Sequence, residues 1–81
     1  MIRFIWTDQA KSDLRKINRE SALQILLALT DYAKTGMGDV KRLRGTKDFR
    51  LRVGDYRVRF EVLPDAELRI LHVRHRREAY R

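Results

Sequence analysis

Arg50, Arg52, Arg57 and Arg59 occupy alternate positions within FRLRVGDYRVRFEV (49–62), and His75, Arg76 and Tyr80 follow near the C-terminal end. Gly54-Asp55, between the two arginine pairs, is the Gly-X pair that a two-residue hairpin turn favours. A hairpin closed there sets Val53 opposite Tyr56, Leu51 opposite Val58 and Phe49 opposite Phe60. The intervening positions then pair Arg52 with Arg57 and Arg50 with Arg59. Side chains alternate faces along a strand, so one face is apolar and the other carries four guanidinium groups. Like charges directly opposite on a sheet cost a few tenths to about 1 kcal/mol per pair. One such pair would pass as a solvated face. Four arginines with only Glu61 to balance them read as a site for an anion supplied from outside.

The chemistry of such a face is phosphate recognition. The planar guanidinium fork makes bidentate contacts and stays charged at any working pH. It is a poor proton carrier for the same reason, because its pKa exceeds about 12. Phosphodiester cleavage needs one proton removed from the nucleophile and one given to the leaving oxygen. His75, Tyr80 and His72 are the groups able to do this, His75 best by an ordinary pKa of about 6.5. Tyrosine starts near about 10, and neighbouring cations lower it. A helical turn in the tail would bring Arg76 and Tyr80 to one face, four residues apart. No carboxylate cluster or histidine set has metal-ligand spacing, and no cofactor is expected. Cleavage without a metal requires the substrate's own 2′-hydroxyl as nucleophile, which restricts the substrate to RNA.

Composition agrees with a polyanionic partner. The chain of 81 residues is one domain (1–81), with a formal net charge of +8 and a pI near 10.6. A domain of this size buries only about 60–65% of its unfolded surface. Residues 1–40 hold six Lys/Arg against five Asp/Glu, whereas 41–81 hold thirteen against six, so the second half carries the charge. Cysteine is absent, which excludes disulfides and thiolate metal sites and fits a reducing cytoplasm. The apolar start, 1–6, is broken by Arg3 and is too short for a signal peptide or a membrane span.

The elements that position these groups are legible in outline. Residues 2–6 are β-branched and aromatic and predict a first strand. Thr7 or Asp8 caps a short helix with Ala10, Leu14 and Ile17 on one face, which Asn18 breaks. A second helix from about Glu20 to Lys34 has a wide apolar stripe through Ala22, Ile25, Leu26, Leu29 and Ala33. Leu23, Leu27 and Tyr32 widen it, which suggests burial against both a sheet and something else. Gly36 and Gly38 end that helix. Val40–Gly45 reads as a basic connector into the hairpin, and 63–66 as a turn. A last strand over 68–73 has Leu68 and Ile70 on one face and Leu71 and Val73 on the other. The expected fold is α+β: two N-terminal helices packed on an antiparallel sheet of about four strands, in the order β-α-α-β-β-β.

KRLRGTKDFRLRVGDYRVRFEV (41–62), followed by LRILHVRHRREAYR (68–81), closely resembles the RelE/ParE family of bacterial type II toxin–antitoxin toxins. The resemblance covers nearly all of the chain, and "LRG", "RLRVGDYRV" and "HRREAYR" in this order are specific in combination. It implies a compact toxin held inactive by a cognate antitoxin, in a toxin–antitoxin hetero-oligomer. RelE-type members enter the ribosomal A site, contact rRNA, and cut mRNA by 2′-hydroxyl attack, leaving a cyclic phosphate and a 5′-hydroxyl. By position, Arg57 and Arg76 match the family's phosphate and transition-state arginines, and Tyr80 matches its C-terminal tyrosine.

Three departures stand out. Arg50 and Arg52 replace the lysines of RelE, Arg74 stands where many members have glycine, and the sequence stops at Arg81, short of a longer C-terminal helix. ParE-type members share the fold but poison DNA gyrase and lack the ribonuclease residues. Retention of Arg57, His75, Arg76 and Tyr80 favours a ribosome-dependent mRNA endoribonuclease. Arg50, Arg52, Arg59, Arg74, Lys41 and Arg44 are the expected phosphate-binding set. The alternatives are a gyrase-inhibiting toxin and a plain RNA-binding module. No membrane association is expected, because the polar positions of the second helix are not basic.

Overall fold

The computed structural model describes residues 2–79. The β-branched and aromatic run forms β1 (Arg3–Trp6), and Thr7 ends it with an extended backbone. The Thr7 hydroxyl accepts the Ala10 N–H at 3.1 Å, which starts α1 (Asp8–Arg15). The same hydroxyl lies 2.8 Å from the Ile70 carbonyl oxygen and 3.0 Å from that of Leu71, so this cap also ties the helix to the last strand. Asn18 accepts the Ser21 N–H at 2.8 Å and starts α2 (Arg19–Thr35). The residue expected to break one helix is thus the N-cap of the next. Gly36, at φ 73°, terminates α2 and donates its N–H to the Tyr32 carbonyl at 2.8 Å.

Four strands follow: β2 (Asp39–Arg42), β3 (Asp48–Val53), β4 (Tyr56–Leu63) and β5 (Glu67–His75), then a short α3 (Arg76–Ala79). The sheet order is β1-β5-β4-β3-β2, with β1 parallel to β5 and every other pair antiparallel. The α+β class holds, with two corrections. The sheet has five strands, because the run read as a basic connector pairs along β3, Val40 facing Leu51. One apolar residue among cations gives little strand signal, and main-chain hydrogen bonding supplies the rest. The sheet is also mixed, since β1 joins it at one edge parallel to β5, while β2 forms the other edge. Between these edges α1 packs on β5 and α2 on β3, covering a single face.

The hairpin register is the one expected, including Arg52 opposite Arg57 and Arg50 opposite Arg59. Gly54 at φ 57° makes the turn without a Cβ penalty. Leu51, Val58 and Phe60 point into the core with Ile25 and Leu29 of α2. Phe60 stacks on Phe49 at 5.6 Å between ring centroids and meets Tyr32 at 5.5 Å.

β5 departs from regular alternation. Phe60 pairs with Ile70 but Arg59 pairs with His72, so Leu71 is an extra residue in a β-bulge. Leu68, Ile70 and Val73 therefore all reach the core, whereas strict alternation put Val73 with Leu71 on the far side. The bulge is held from α1: Asp13 accepts the Val73 N–H at 2.9 Å, and Gln9 donates to the other Asp13 oxygen at 2.8 Å.

Candidate functional site

The face of the sheet turned away from the helices is built by three facing strands. Arg52 and Arg50 of β3 lie opposite Arg57 and Arg59 of β4. Those two in turn lie opposite Arg74 and His72 of β5. On the other side Lys41 of β2 lies opposite Arg50, and Arg42, Leu43 and Arg44 form the wall. Together they line a cleft of about 900 Å³, in which eight of the ten lining residues are Lys or Arg and none is an acid.

Acids reach this face from its margins. Asp48 accepts from Arg59 at 2.7 Å, and Asp39 lies 3.7 Å from Arg50. Glu61, the acid expected to balance the arginines, instead faces Arg69 at 3.7 Å. With Asp39 and Asp48 counted, cations still outnumber acids eight to two. Among the described residues Arg52 and Arg74 form no ion pair. Three like-charge pairs (Arg50–Arg59, Arg52–Arg57, Arg57–Arg74) persist across the strands. Together they disfavour the sheet by on the order of 1–2 kcal/mol. An anion that bridges the rows removes that cost and gains charge-assisted hydrogen bonds.

His72, a proton-moving candidate from sequence but outside the expected phosphate-binding set, lines the cleft, as do Arg42 and Leu43, which that set also omits. Regular alternation placed His72 with Leu68 and Ile70; the bulge at Leu71 turns it onto the arginine face. The adjacent Ile70-Leu71 pair, followed by Val73, is the trace such a bulge leaves in a sequence. Burial, then Arg74, then Arg59 hold the His72 pKa below its usual value, against an opposite pull from Asp13 and Asp48. Its Nδ1 is buried with no hydrogen-bond partner among the described residues.

Arg50, Arg52, Arg57, Arg59, Arg74, Lys41 and Arg44 are brought together in this cleft. His75 is not. It lies opposite Tyr56 on the helix side of the sheet, edge-on to that ring at 5.3 Å, and its Nδ1 accepts the Arg77 N–H at 3.2 Å. Arg76 sits at the end of the hairpin, donating its N–H to the Asp55 carbonyl at 2.7 Å, with its guanidinium 3.9 Å from the Asp55 carboxylate. Tyr80 lies outside the described residues.

A mixed sheet with one helical face and one cationic face defines a small basic α+β protein with a surface suited to a polyanion. The comparisons with known proteins give that class a family. The model of the ParE toxin of the type II toxin–antitoxin system parDE matches residues 4–80, and the chain belongs to this family of toxins. Solved structures repeat the fold. The archaeal RelE–RelB complex of Pyrococcus horikoshii is 25% identical, with a TM-score of 0.78 over 93% of this chain and 94% of that one. The RelB–RelE complex of Methanococcus jannaschii is 23% identical at a TM-score of 0.78, over 94% of both chains. The isolated E. coli RelE toxin is 16% identical at 0.79, over 99% and 96%. No curated protein matches in sequence.

Proposed function

We propose that this toxin is a ribosome-dependent mRNA endoribonuclease. The cleft carries the reading: eight Lys and Arg on three adjacent strands and the wall beside them form a surface for successive phosphates. In the proposed reaction the 2′-oxygen attacks the neighbouring phosphorus without a metal, leaving a 2′,3′-cyclic phosphate and a 5′-hydroxyl. Arg57, at the centre of the rows, stabilises the charge that builds on the phosphoryl oxygens. Arg50, Arg52, Arg59, Arg74, Lys41 and Arg44 hold the flanking phosphates. Arg76 would close the site from the hairpin end, with Tyr80 as the proton-moving candidate from the tail; His75, on the helix side of the sheet, is not placed to act there.

The proposed off-state is a complex with a cognate antitoxin in the cytoplasm. Two of the similar structures are RelB–RelE complexes. The outer face of α2 supports the same idea, with Leu23 and Leu27 more than half exposed and Leu26 beside them. An amphipathic antitoxin helix with an acidic extension would cover that face and the cleft. Retained activity at saturating antitoxin would count against it.

The match to the ParE model favours a second reading, in which the toxin inhibits DNA gyrase without cutting RNA. Two assays on one preparation separate the readings. Translation in a purified ribosome system, with mRNA ends mapped, should show cutting by wild type and none by the Arg57→Ala/Arg76→Ala variant. Inhibited supercoiling with intact mRNA would select the gyrase reading. Full cutting by the double variant would dispose of the residue assignment.

A further inference from the structure

His72 reaches the cleft through a backbone irregularity, and its chemistry differs from that of every other side chain there. Among the ten lining residues it alone gains or loses a proton near neutrality. The charged groups around it come from four elements. Arg74 lies on its own strand, Arg57 and Arg59 on β4, Asp48 at the start of β3 and Asp13 on α1. Both acids are already engaged, Asp48 with Arg59 and Asp13 with Gln9 and the Val73 N–H. Burial and the two nearest arginines keep the imidazole neutral more readily than water would.

Protonation would also make both ring nitrogens donors, and Nδ1 has no acceptor among the described residues. Among the described residues an imidazolium thus meets two acids already engaged elsewhere and outweighed by Arg74 and Arg59, and it finds no acceptor at Nδ1. A phosphodiester in the cleft supplies the missing opposing charge, because it offsets Arg59 and Arg74 beside the ring.

We propose that His72 binds the phosphodiester as an imidazolium, taking up one proton from solvent as the ligand enters the cleft. The inference rests on the cleft being a phosphate site, as proposed above, but not on cleavage. Linkage fixes its sign: a ligand bound with proton uptake binds more tightly as pH falls. The limit is about tenfold per pH unit for one proton. The cleft thereby acquires a group able to carry a proton, which arginine is not.

The test uses a short oligothymidylate, which has no 2′-hydroxyl to be cut and no base that titrates near neutrality. Its affinity for the full chain is measured at low salt between about pH 5.5 and 7.5. In parallel, the His72 imidazole is titrated by NMR with and without the oligonucleotide. The ligand should raise the His72 titration midpoint, and affinity should weaken several-fold as pH rises. His72→Gln should flatten that dependence while His75→Gln keeps it. An unmoved or lowered midpoint, or an undiminished pH dependence in His72→Gln, overturns the inference. Absence of binding at low salt overturns it together with the phosphate-site reading. Proton uptake without mRNA cutting removes the nuclease reading alone.

Discussion

Arg57 and Arg52 illustrate the conflict at the residue scale between what stabilises the sheet and the phosphate binding proposed for it. Each lies opposite a like charge, and Arg57 has one on both sides. Arg52→Gln should therefore raise stability by a few tenths to about 1 kcal/mol in urea unfolding, while weakening RNA binding. Arg57→Ala should lower mRNA cutting by about 10²–10³-fold, the loss typical of a donor to a transition-state oxyanion. Arg57→Lys should recover only part of it, because a point charge cannot reproduce the fork. His72 adds a pH dependence whose sign is set by its lowered pKa. Between the folded value and the unfolded value of about 6.5 the unfolded chain binds more protons, so stability rises with pH. The contribution is complete above the unfolded pKa and is lost as pH falls through it towards the folded one. Urea midpoints at about pH 7.5 and 5.5 should differ less in His72→Gln than in wild type.

At the scale of elements, two local devices set the geometry of the site. The bulge in β5 turns His72 and Arg74 towards the arginines of β4, and Asp13 of α1 secures it through the Val73 N–H. Asp13→Ala leaves that N–H without its acceptor and should cost about 1–3 kcal/mol in denaturant unfolding. The β4–β5 turn carries Asp65 at φ 66° and Ala66 at φ 58°, a left-handed conformation that an alanine adopts under strain. Ala66→Gly should raise stability by about 0.5–1 kcal/mol in the same measurement, the relieved strain exceeding the added chain entropy. These elements also mark where sequence reasoning ran out. The β3–β4 hairpin was legible because its turn chemistry and its alternation agree, and the structure repeats its register pair by pair. The bulge was not, since it depends on a carboxylate from a helix some 60 residues away in sequence. Nor was β2, whose four residues DVKR hold one apolar side chain and are ordered by their neighbour.

Across the whole molecule, the charge asymmetry of the sequence becomes an asymmetry of faces. The helices cover one side of the sheet and the basic second half of the chain lines the other. Most of the cationic cleft could be assembled from sequence, because Arg50, Arg52, Arg57 and Arg59 follow from strand alternation and Lys41 and Arg44 from the adjoining basic run, whereas Arg74 reaches it through the bulge. The tail could not, since His75 turns to the helix side when the bulge shifts the parity of β5. A cleft of this kind should bind single-stranded RNA with a steep salt dependence. Three to five phosphate contacts give a slope of about −2 to −3.5 in a plot of log K against log salt, and Arg52→Ala/Arg57→Ala should flatten it. The most direct measurement is mRNA cleavage on purified ribosomes by two variants of equal net charge. One is Arg52→Ala/Arg57→Ala in the cleft, and the other is Arg15→Ala/Arg19→Ala at the ends of α1 and α2. If the cleft is where mRNA is cut, the first loses cleavage by at least about 10²-fold and the second stays near wild type. Equal cleavage by both variants would contradict the account.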